Sequence, residues 1–294
     1  MRYLNPKADL TFKHVFGEHP DLVMSLLNAL LPLAPGEDIT DIEYLPSEIP
    51  LRKNSIVDVR CKDKLGRQFI VEMQMIWSPE FKQRVLFNAS KAYARQIDCG
   101  ENYHLLQPVY SLNIVNDIFE PELEGYYHHY RLVHVENSDK VIDGLQLIFV
   151  ELPKFHPHNY SEKKMQVLWL RYLTEINEKT VEVPEELLAN PEVKKAVKAV
   201  EESAFTPAQL LGYKKFWDII SVEKTLYYSA EQKGMKRGME EGMERGMKKG
   251  MERGMEKGKA EEKQQIARNM KSFGLAPEAI AKMTGLSLEE INRL

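Results

Sequence analysis

The alternation of apolar and polar residues predicts a β-hairpin in the first third of the chain. Two β-rich runs, residues 55–61 and 68–75, are separated by a short turn that contains a glycine, which is typical of two antiparallel strands. Because successive side chains of a strand point to opposite faces, Asp58 lies opposite its apolar neighbours, and Glu72 and Gln74 share one face. Antiparallel pairing can therefore bring Asp58 opposite Glu72 and Gln74.

Helical spacing of apolar residues predicts a helix on either side of this hairpin. Residues 21–31 carry the first helical pattern, and Pro79 opens a longer helix that runs to about Ile97. Three further apolar runs predict strands, at residues 108–115, 127–135 and 145–152. This succession of helix, hairpin, helix and strands indicates a mixed α/β (α+β) domain over residues 1–155.

The next part of the chain is predicted to be helical. Residues 156–230 form a helical extension interrupted by prolines, and residues 231–262 repeat the tetrapeptide Gly-Met-x-x. A four-residue period is close to the helical 3.6, so glycine and methionine form adjacent stripes. Each glycine costs a helix about 1 kcal/mol relative to alanine. The repeat is therefore either a solvated helix or linker, or a helix that pairs with a partner, as in a homodimer.

Residues 263–294 predict a small C-terminal segment of three short helices. Ser287 and Glu290 have the spacing of a capping box at the start of the last one. The succession resembles a helix-turn-helix by its pattern. Because its basic residues are few, the segment favours assembly over reading a DNA groove.

Composition favours a globular protein of the cytoplasm. Hydrophobic residues make up 43% of the chain, which is enough for a substantial core. The N-terminus lacks the apolar run of a signal peptide, and no stretch reaches the roughly 18 uncharged apolar residues of a membrane helix. Cys61 and Cys99 form no metal-binding or redox motif, so we expect a reducing compartment and no structural zinc. The glycines lack the pattern of a P-loop, which argues against ATP use.

The net charge of the chain is not typical of a nucleic-acid-binding protein. The formal net charge is −4. Residues 1–152 hold 15 Lys and Arg against 22 Asp and Glu, a net of −7, and the remainder has a net of +3. DNA-binding proteins usually carry a basic patch. Any affinity for DNA must therefore come from local clusters of cationic side chains or from bound metal ions.

The candidate chemistry lies on the predicted hairpin. Asp58 is followed, after thirteen residues, by Glu72-Met-Gln74. Two carboxylates on neighbouring strands suit Mg²⁺, which takes oxygen ligands and keeps sites for water and phosphate, although carboxylates on a solvated hairpin face are also ordinary. His128 and His129 are adjacent in a predicted strand, so they point to opposite faces and cannot both serve one metal.

Several separated motifs follow one another in the order of a known nuclease family. They are residues 5–17, 56–60, 71–75 and 81–84, the region of Tyr93, residues 100–103, and a tail of glycine repeats closed by residues 280–287. Together they resemble the recombination-promoting nuclease and transposase family of the PD-(D/E)XK superfamily, over nearly the whole chain. The resemblance implies a restriction-endonuclease-like core, with a mixed central sheet flanked by helices. It also implies a DNA endonuclease that depends on Mg²⁺, for which Mn²⁺ can substitute.

The resemblance assigns roles to residues of the hairpin and the helix after it. Asp58 and Glu72 would be the metal ligands. Gln74 occupies the place where many relatives carry a lysine that polarises the attacking water. Because glutamine supplies no positive charge, the resemblance leaves room for a cation from elsewhere, with Arg84 and Lys82 as candidates for contacts with phosphate or DNA.

The first helix offers further candidates. Asp9 or Glu18 would be an accessory catalytic acid, and Asp9 matches the family pattern better. An N-terminal helix cap is an equally good interpretation of Asp9. Lys13 is a candidate phosphate contact, or else a solvated helix charge.

Two functions follow from these observations. The first is a homodimeric, Mg²⁺-dependent DNA endonuclease, for which the resemblance implies a role in recombination, mobile elements or phage defence. The alternative is a catalytically weak or inactive assembly factor that binds DNA or protein on a nuclease-like fold. Gln74 and the acidic first half favour the alternative, whereas the intact Asp58 and Glu72 oppose it.

Overall fold

The computed structural model describes residues 2–46, 58–156 and 164–294. The chain divides into two compact units, Met1–Lys224 and Thr225–Leu294. Each unit has its own hydrophobic core.

The first unit is built on a six-stranded mixed sheet. Its strands are β1 (Glu43–Tyr44), β2 (Val59–Lys62), β3 (Gln68–Gln74), β4 (Val109–Val115), β5 (Tyr127–His134) and β6 (Asn137–Glu151). They lie in the order β1-β2-β3-β4-β6-β5. β4 runs parallel to β3 and β6, and the other neighbours are antiparallel. The predicted mixed α/β fold with a mixed central sheet is therefore confirmed.

Helices cover the sheet. They are α1 (Asp9–Gly17), α2 (Pro20–Leu30), α3 (Glu80–Ala94), α4 (Lys164–Glu175), α5 (Glu185–Ala189) and α6 (Pro191–Ala199). α3 forms the crossover between the parallel strands β3 and β4, as such a connection requires. It ends three residues before the predicted Ile97.

The predicted hairpin is confirmed in the described residues. β2 and β3 pair antiparallel with Val59 opposite Val71, and the turn between them places Gly66 at φ +82°, a conformation that favours glycine. Val59 and Val71 point into the main core, whereas Ile70 packs under α3. Residues 55–57, also predicted to be in the first strand, lie outside the described residues.

The later strands match their predictions, with one difference in length. β6 begins at Asn137, well before the predicted residue 145. Its first half is exposed and pairs with β5. A solvated ribbon needs no apolar face, so hydrophobic periodicity gives no signal for this extension.

The predicted boundary at residue 155 falls inside the first compact unit. Trp169 and Tyr172 of α4 are fully buried in the same core as the sheet. The Trp169 ring lies 5.5 Å from that of Phe16 in α1. Because α4 and α6 bury apolar faces against α2, the helices after residue 155 complete the core rather than extend it.

A long helix, α7 (Pro207–Ser272), begins in the first unit and ends in the second. The Gly-Met repeat lies within it, and the methionines of the repeat are exposed. α8 (Pro277–Thr284) and α9 (Leu288–Arg293) follow. The end of α7, α8 and α9 share a small core formed by Ala267, Ile280 and Ile291. The predicted capping box is present, since Ser287 accepts a hydrogen bond from the Glu290 amide. Along the described residues, no helix has the length and apolar character needed to cross a bilayer.

Candidate active site

Two acidic side chains meet at the end of the hairpin away from its turn. Val59 of β2 pairs with Val71 of β3. Asp58 and Glu72 are the next residues away from the turn on these two segments, so they lie opposite each other. Asp58 Oδ2 accepts a hydrogen bond from the Met73 amide at 2.7 Å. The Asp58 and Glu72 side chains are only 15% and 7% exposed. The structure therefore brings the two predicted ligands together in a poorly solvated place.

Burial disfavours ionisation of both carboxyl groups. It raises the pKa of Asp58 to about 7, and the negative charges of Asp9 and Glu72 add to this, against the Met73 hydrogen bond and the positive charge of Lys13. Burial also raises the pKa of Glu72, against the opposing effects of Arg84 and a hydrogen bond from Asn88. Two buried carboxyl groups with incompletely balanced charge have the chemistry of a cation site.

The donor set fits a divalent cation that binds oxygen. Among the described residues, no group of three or more His, Cys, Asp or Glu side chains is placed to hold a metal ion. Mg²⁺ does not need such a cluster, because it binds through one or two carboxylates and fills its other positions with water and substrate phosphate. Asp58 and Glu72 would hold the ion.

The helix α3 brings a cation to Gln74. Arg84 Nη2 donates to Gln74 Oε1 at 2.7 Å and lies 3.8 Å from Glu72 Oε2. Gln74 Nε2 donates to the Ile76 carbonyl. The glutamine amide is therefore used at both ends, and its oxygen holds the guanidinium beside the acidic pair.

Lys82 is not brought to the acidic pair. It forms an ion pair with Glu120 and lies 5.0 Å from the centre of the Phe119 ring. Two positions along an α-helix differ by about 200°, so Lys82 and Arg84 cannot point to the same place. Helical geometry separates these two predicted candidates.

The first helix contributes a charged pair at Asp58. Lys13 Nζ lies 2.5 Å from Asp9 Oδ1 and 3.6 Å from Asp58 Oδ1. Asp9 is the first residue of α1, and the cap position is Ala8, without a side-chain cap hydrogen bond. The alternative role of Asp9 as helix cap is thus not observed. Glu18 pairs with His14 instead.

Three residues at this site escaped the sequence analysis. Asn88 Nδ2 donates to Glu72 Oε1 at 3.1 Å, and a buried asparagine on the apolar face of α3 was a signal that could have found it. Lys7 Nζ donates to Asn116 Oδ1 at 2.9 Å, and the Asn116 amide donates to the Gln74 carbonyl at 2.8 Å. No local pattern links Lys7 and Asn116, which are far apart in the chain.

The two adjacent histidines lie outside this site and serve different partners. His128 Nε2 shares a hydrogen bond with buried Glu151 at 2.8 Å. His129 Nε2 shares one with Gln146 at 2.6 Å. Neither contributes to the acidic pair, in keeping with their predicted placement on opposite faces of the strand.

A mixed sheet with an acidic pair on its central hairpin, flanked by helices that bring cations, defines the class of PD-(D/E)XK nuclease-like proteins. Comparison with protein families bears this out. The family model described as PD-(D/E)XK nuclease family transposase matches residues 6–221. The chain therefore belongs to this family. The resemblance inferred from the sequence is confirmed, and membership supports a nuclease- or transposase-like function that uses a divalent metal ion.

A second family model matches the end of the chain. It is described as the C-terminal HTH domain of the Rpn/YhgA-like nuclease family and covers residues 260–294, where the structure has the end of α7 and all of α8 and α9. Together, the nuclease and helix-turn-helix matches point to DNA as the ligand. Comparisons with curated proteins and with solved structures gave no match.

Proposed function

We propose that this protein is a metal-dependent endonuclease that hydrolyses DNA phosphodiester bonds. The observation that carries the proposal is the buried pair Asp58 and Glu72, with Lys13 from α1 and Arg84 from α3 beside it. Acidic ligands for a cation, next to cationic groups for a phosphate, are what phosphodiester hydrolysis requires.

Asp58 and Glu72 are the proposed ligands of Mg²⁺, with Mn²⁺ as a substitute. The ion would supply Lewis-acid activation of the phosphate and of water. The Met73 amide fixes the orientation of Asp58, and Asn88 fixes that of Glu72. Both carboxylates are therefore held in place before any ligand arrives, which lowers the cost of organising the site.

Arg84 takes over the positive charge that Gln74 lacks. The Gln74 oxygen holds its guanidinium next to Glu72. Lys13 supplies a second cation on the side of Asp58, and Asp9 holds it there as an accessory acid. These two cations can stabilise negative charge that develops on the phosphate oxygens.

We place this activity in recombination, mobile elements or phage defence. The family description names transposases, which favours a role in DNA rearrangement. The C-terminal helices, matched as a helix-turn-helix domain, would add DNA contacts or assembly contacts.

A homodimer is part of the proposal. In α7, Met239 and Met247 belong to a row of exposed methionines beside the glycines of the repeat. Glycines every four residues let two helices approach closely, and a second copy would offset their cost in helix stability. Replacing both methionines by glutamate should convert dimers to monomers in sedimentation velocity, whereas an unchanged dimer would exclude this stripe as the contact.

The first experiment is nicking of supercoiled plasmid in Mg²⁺, Mn²⁺ or EDTA. The wild type is compared with Asp58→Ala and Glu72→Ala, and Glu18→Ala serves as the control because this acid pairs with His14 instead. Metal-dependent cutting that is lost in both site variants and kept in the control supports the proposal. If the wild type cuts with neither metal at high protein and low salt, the alternative of a non-catalytic binding factor replaces it.

A further inference from the structure

The segment before α1 is anchored along its length. Tyr3 forms a β-bridge with Glu201, Leu4 is buried against Phe205, and the Asn5 amide donates to the Tyr213 hydroxyl at 2.8 Å. Lys7 follows directly. Its position is therefore set by the folded unit and not by a free N-terminus.

Lys7 reaches the end of the strand that carries the acidic pair. Its ammonium group donates a hydrogen bond to Asn116 Oδ1 at 2.9 Å. The backbone amide of Asn116 in turn donates a hydrogen bond to the Gln74 carbonyl. Gln74 is two residues beyond Glu72 on β3, or about 7 Å along a strand. Lys7 therefore lies near the carboxyl end of β3, the strand that carries Glu72.

The loop that follows β4 and begins with Asn116 is held by hydrogen bonds. Asp117 Oδ2 accepts a hydrogen bond from the Trp77 amide at 3.0 Å. The fully buried Glu151 accepts another from the Phe119 amide at 2.6 Å and is paired with Lys154. Asn116 thus lies in a hydrogen-bonded loop at the carboxyl end of β4, a central strand of the sheet, and its side chain holds Lys7 there.

The surroundings of Lys7 are short of negative charge. The acceptor of its hydrogen bond is a neutral amide, in contrast to Lys13, which contacts two carboxylates. Burial lowers the pKa of Lys7, and the positive charge of Lys224 lowers it further, against the attraction of Glu178. An anion bound at Lys7 would offset this positive charge and favour the charged form of the lysine.

We propose that Lys7, held in place by Asn116, forms a subsite for a backbone phosphate of the DNA strand, near the bond that is cut. This inference rests on the proposed function, because it takes the acidic pair as the place of cutting. The subsite reads no base sequence, since a phosphate contact positions the strand without specifying it.

The test measures DNA binding in a full-length Asp58→Asn background, in EDTA, so that cutting does not interfere. The probe is a fluorescent 20-base-pair duplex, titrated over a series of salt concentrations. Lys7→Met should raise Kd about fivefold at moderate salt and reduce the slope of log K against log salt by about 0.9, the value for one phosphate contact. Lys7→Arg, which keeps the charge, should stay near the parent.

Two further variants complete the design. Lys64→Met removes an exposed lysine at the turn of the hairpin, far from the acidic pair, and should leave the slope unchanged. Asn116→Asp places a carboxylate against Lys7 and should weaken binding as Lys7→Met does, which keeps the test open if Lys7→Met fails to fold. A slope unchanged in folded Lys7→Met, or affinity unchanged in Asn116→Asp, would overturn the subsite.

Cutting assays separate this inference from the proposed function. In the otherwise wild-type protein, Lys7→Met should raise KM several-fold and leave kcat unchanged, as expected for a uniform binding contact. If the wild type cuts DNA and Lys7→Met has unchanged KM, the nuclease stands and the subsite falls. If the wild type never cuts but Lys7→Met still lowers the salt slope, the nuclease falls, and Lys7 is a phosphate contact of a non-catalytic DNA-binding protein.

Discussion

The guanidinium of Arg84 donates a hydrogen bond to the side-chain oxygen of Gln74 at 2.7 Å. The family resemblance implies that Gln74 occupies the place where many PD-(D/E)XK relatives carry a lysine. The contact therefore joins an uncharged side chain at that position to a guanidinium from α3. Arg84 is 40% exposed and Glu72 only 7%. The arginine therefore lies at the rim of the acidic pair, open to a ligand from solvent.

Removing the charge of Arg84 should impair cutting far more than removing that of Lys82. Loss of one positioned charge or donor costs about 100-fold or more in kcat, so we expect about this loss in Arg84→Met. Arg84→Lys should recover part of the activity, because it restores the charge without the planar fork. Single-turnover cleavage with Mg²⁺ measures the effect.

Lys82→Met is the matched control for that experiment. Lys82 is on the same helix but pairs with Glu120, so its loss should change kcat less than about threefold, since it touches no ligand of the site. Equal losses in Lys82→Met and Arg84→Met would show that general positive charge on α3 matters, and not the contact with Gln74.

The stability of the metal-free protein should depend on pH through Asp58. Its pKa rises from 3.8 to about 7 in the folded state, chiefly through burial. The folded chain therefore holds a proton that the unfolded chain has released, so the free energy of unfolding should fall as pH rises from about 4 to 7. At about 1.4 kcal/mol per pKa unit, the fall is at most about 4 kcal/mol. Urea unfolding in EDTA across this range measures it.

Asp58→Asn removes the titrating group and should flatten that part of the profile. A bound metal ion competes with the proton, so Mn²⁺ should raise Tm more at pH 8 than at pH 6 in the wild type and little in the variant. An equal Mn²⁺ effect at both pH values would contradict the link between Asp58 and the metal.

The helices after residue 155 should be required for folding of the first unit. Ending the chain at residue 155 exposes the core surface that Trp169 and Tyr172 cover, so we expect an aggregated or unfolded product. Ending it at residue 224 keeps that surface buried and should give a cooperative thermal transition. In the full chain, Trp169→Ala should cost about 3–5 kcal/mol, as for other large core aromatics. A folded product ending at residue 155 would contradict this assignment of the core.

The two cysteines should differ sharply in reactivity. Cys61 is buried in β2, and burial raises the pKa of its thiol to about 12, whereas Cys99 is exposed. Because the thiolate is the reactive form, Ellman's reagent should titrate one thiol in the native protein and two in denaturant. Cys99→Ser should remove the native reaction, and rapid labelling of that variant would mean that β2 opens readily.

The hairpin could be predicted because its information is local. Asp58 and Glu72 are polar positions in alternating strands, and the β-strand period of two sets both their faces and their register. A different local rule, the rotation between successive residues of an α-helix, separates Arg84 from Lys82, although both were candidates from the sequence. The family resemblance then gave the acidic pair a chemical meaning that the spacing alone does not carry.

The rest of the site and the extent of the domain depend on tertiary packing. Lys7 meets Asn116 only because the N-terminal segment packs on Tyr213 and β4 ends beside β3. The boundary at residue 155 was placed by a change from strands to helices. A change of element type does not reveal that Trp169 returns to the core of the sheet.

The contacts of the site also differ in the number of residues that separate their two partners along the sequence. Asp58 is bonded to a residue 15 positions away and Gln74 to one 10 positions away, whereas Lys7 and Asn116 are 109 positions apart. Closing a longer loop costs more conformational entropy. We therefore expect the acidic pair and Arg84 to assemble early in folding, and the Lys7 contact to wait for most of the unit. An incompletely folded chain would then be able to capture a cation before it could align a DNA strand.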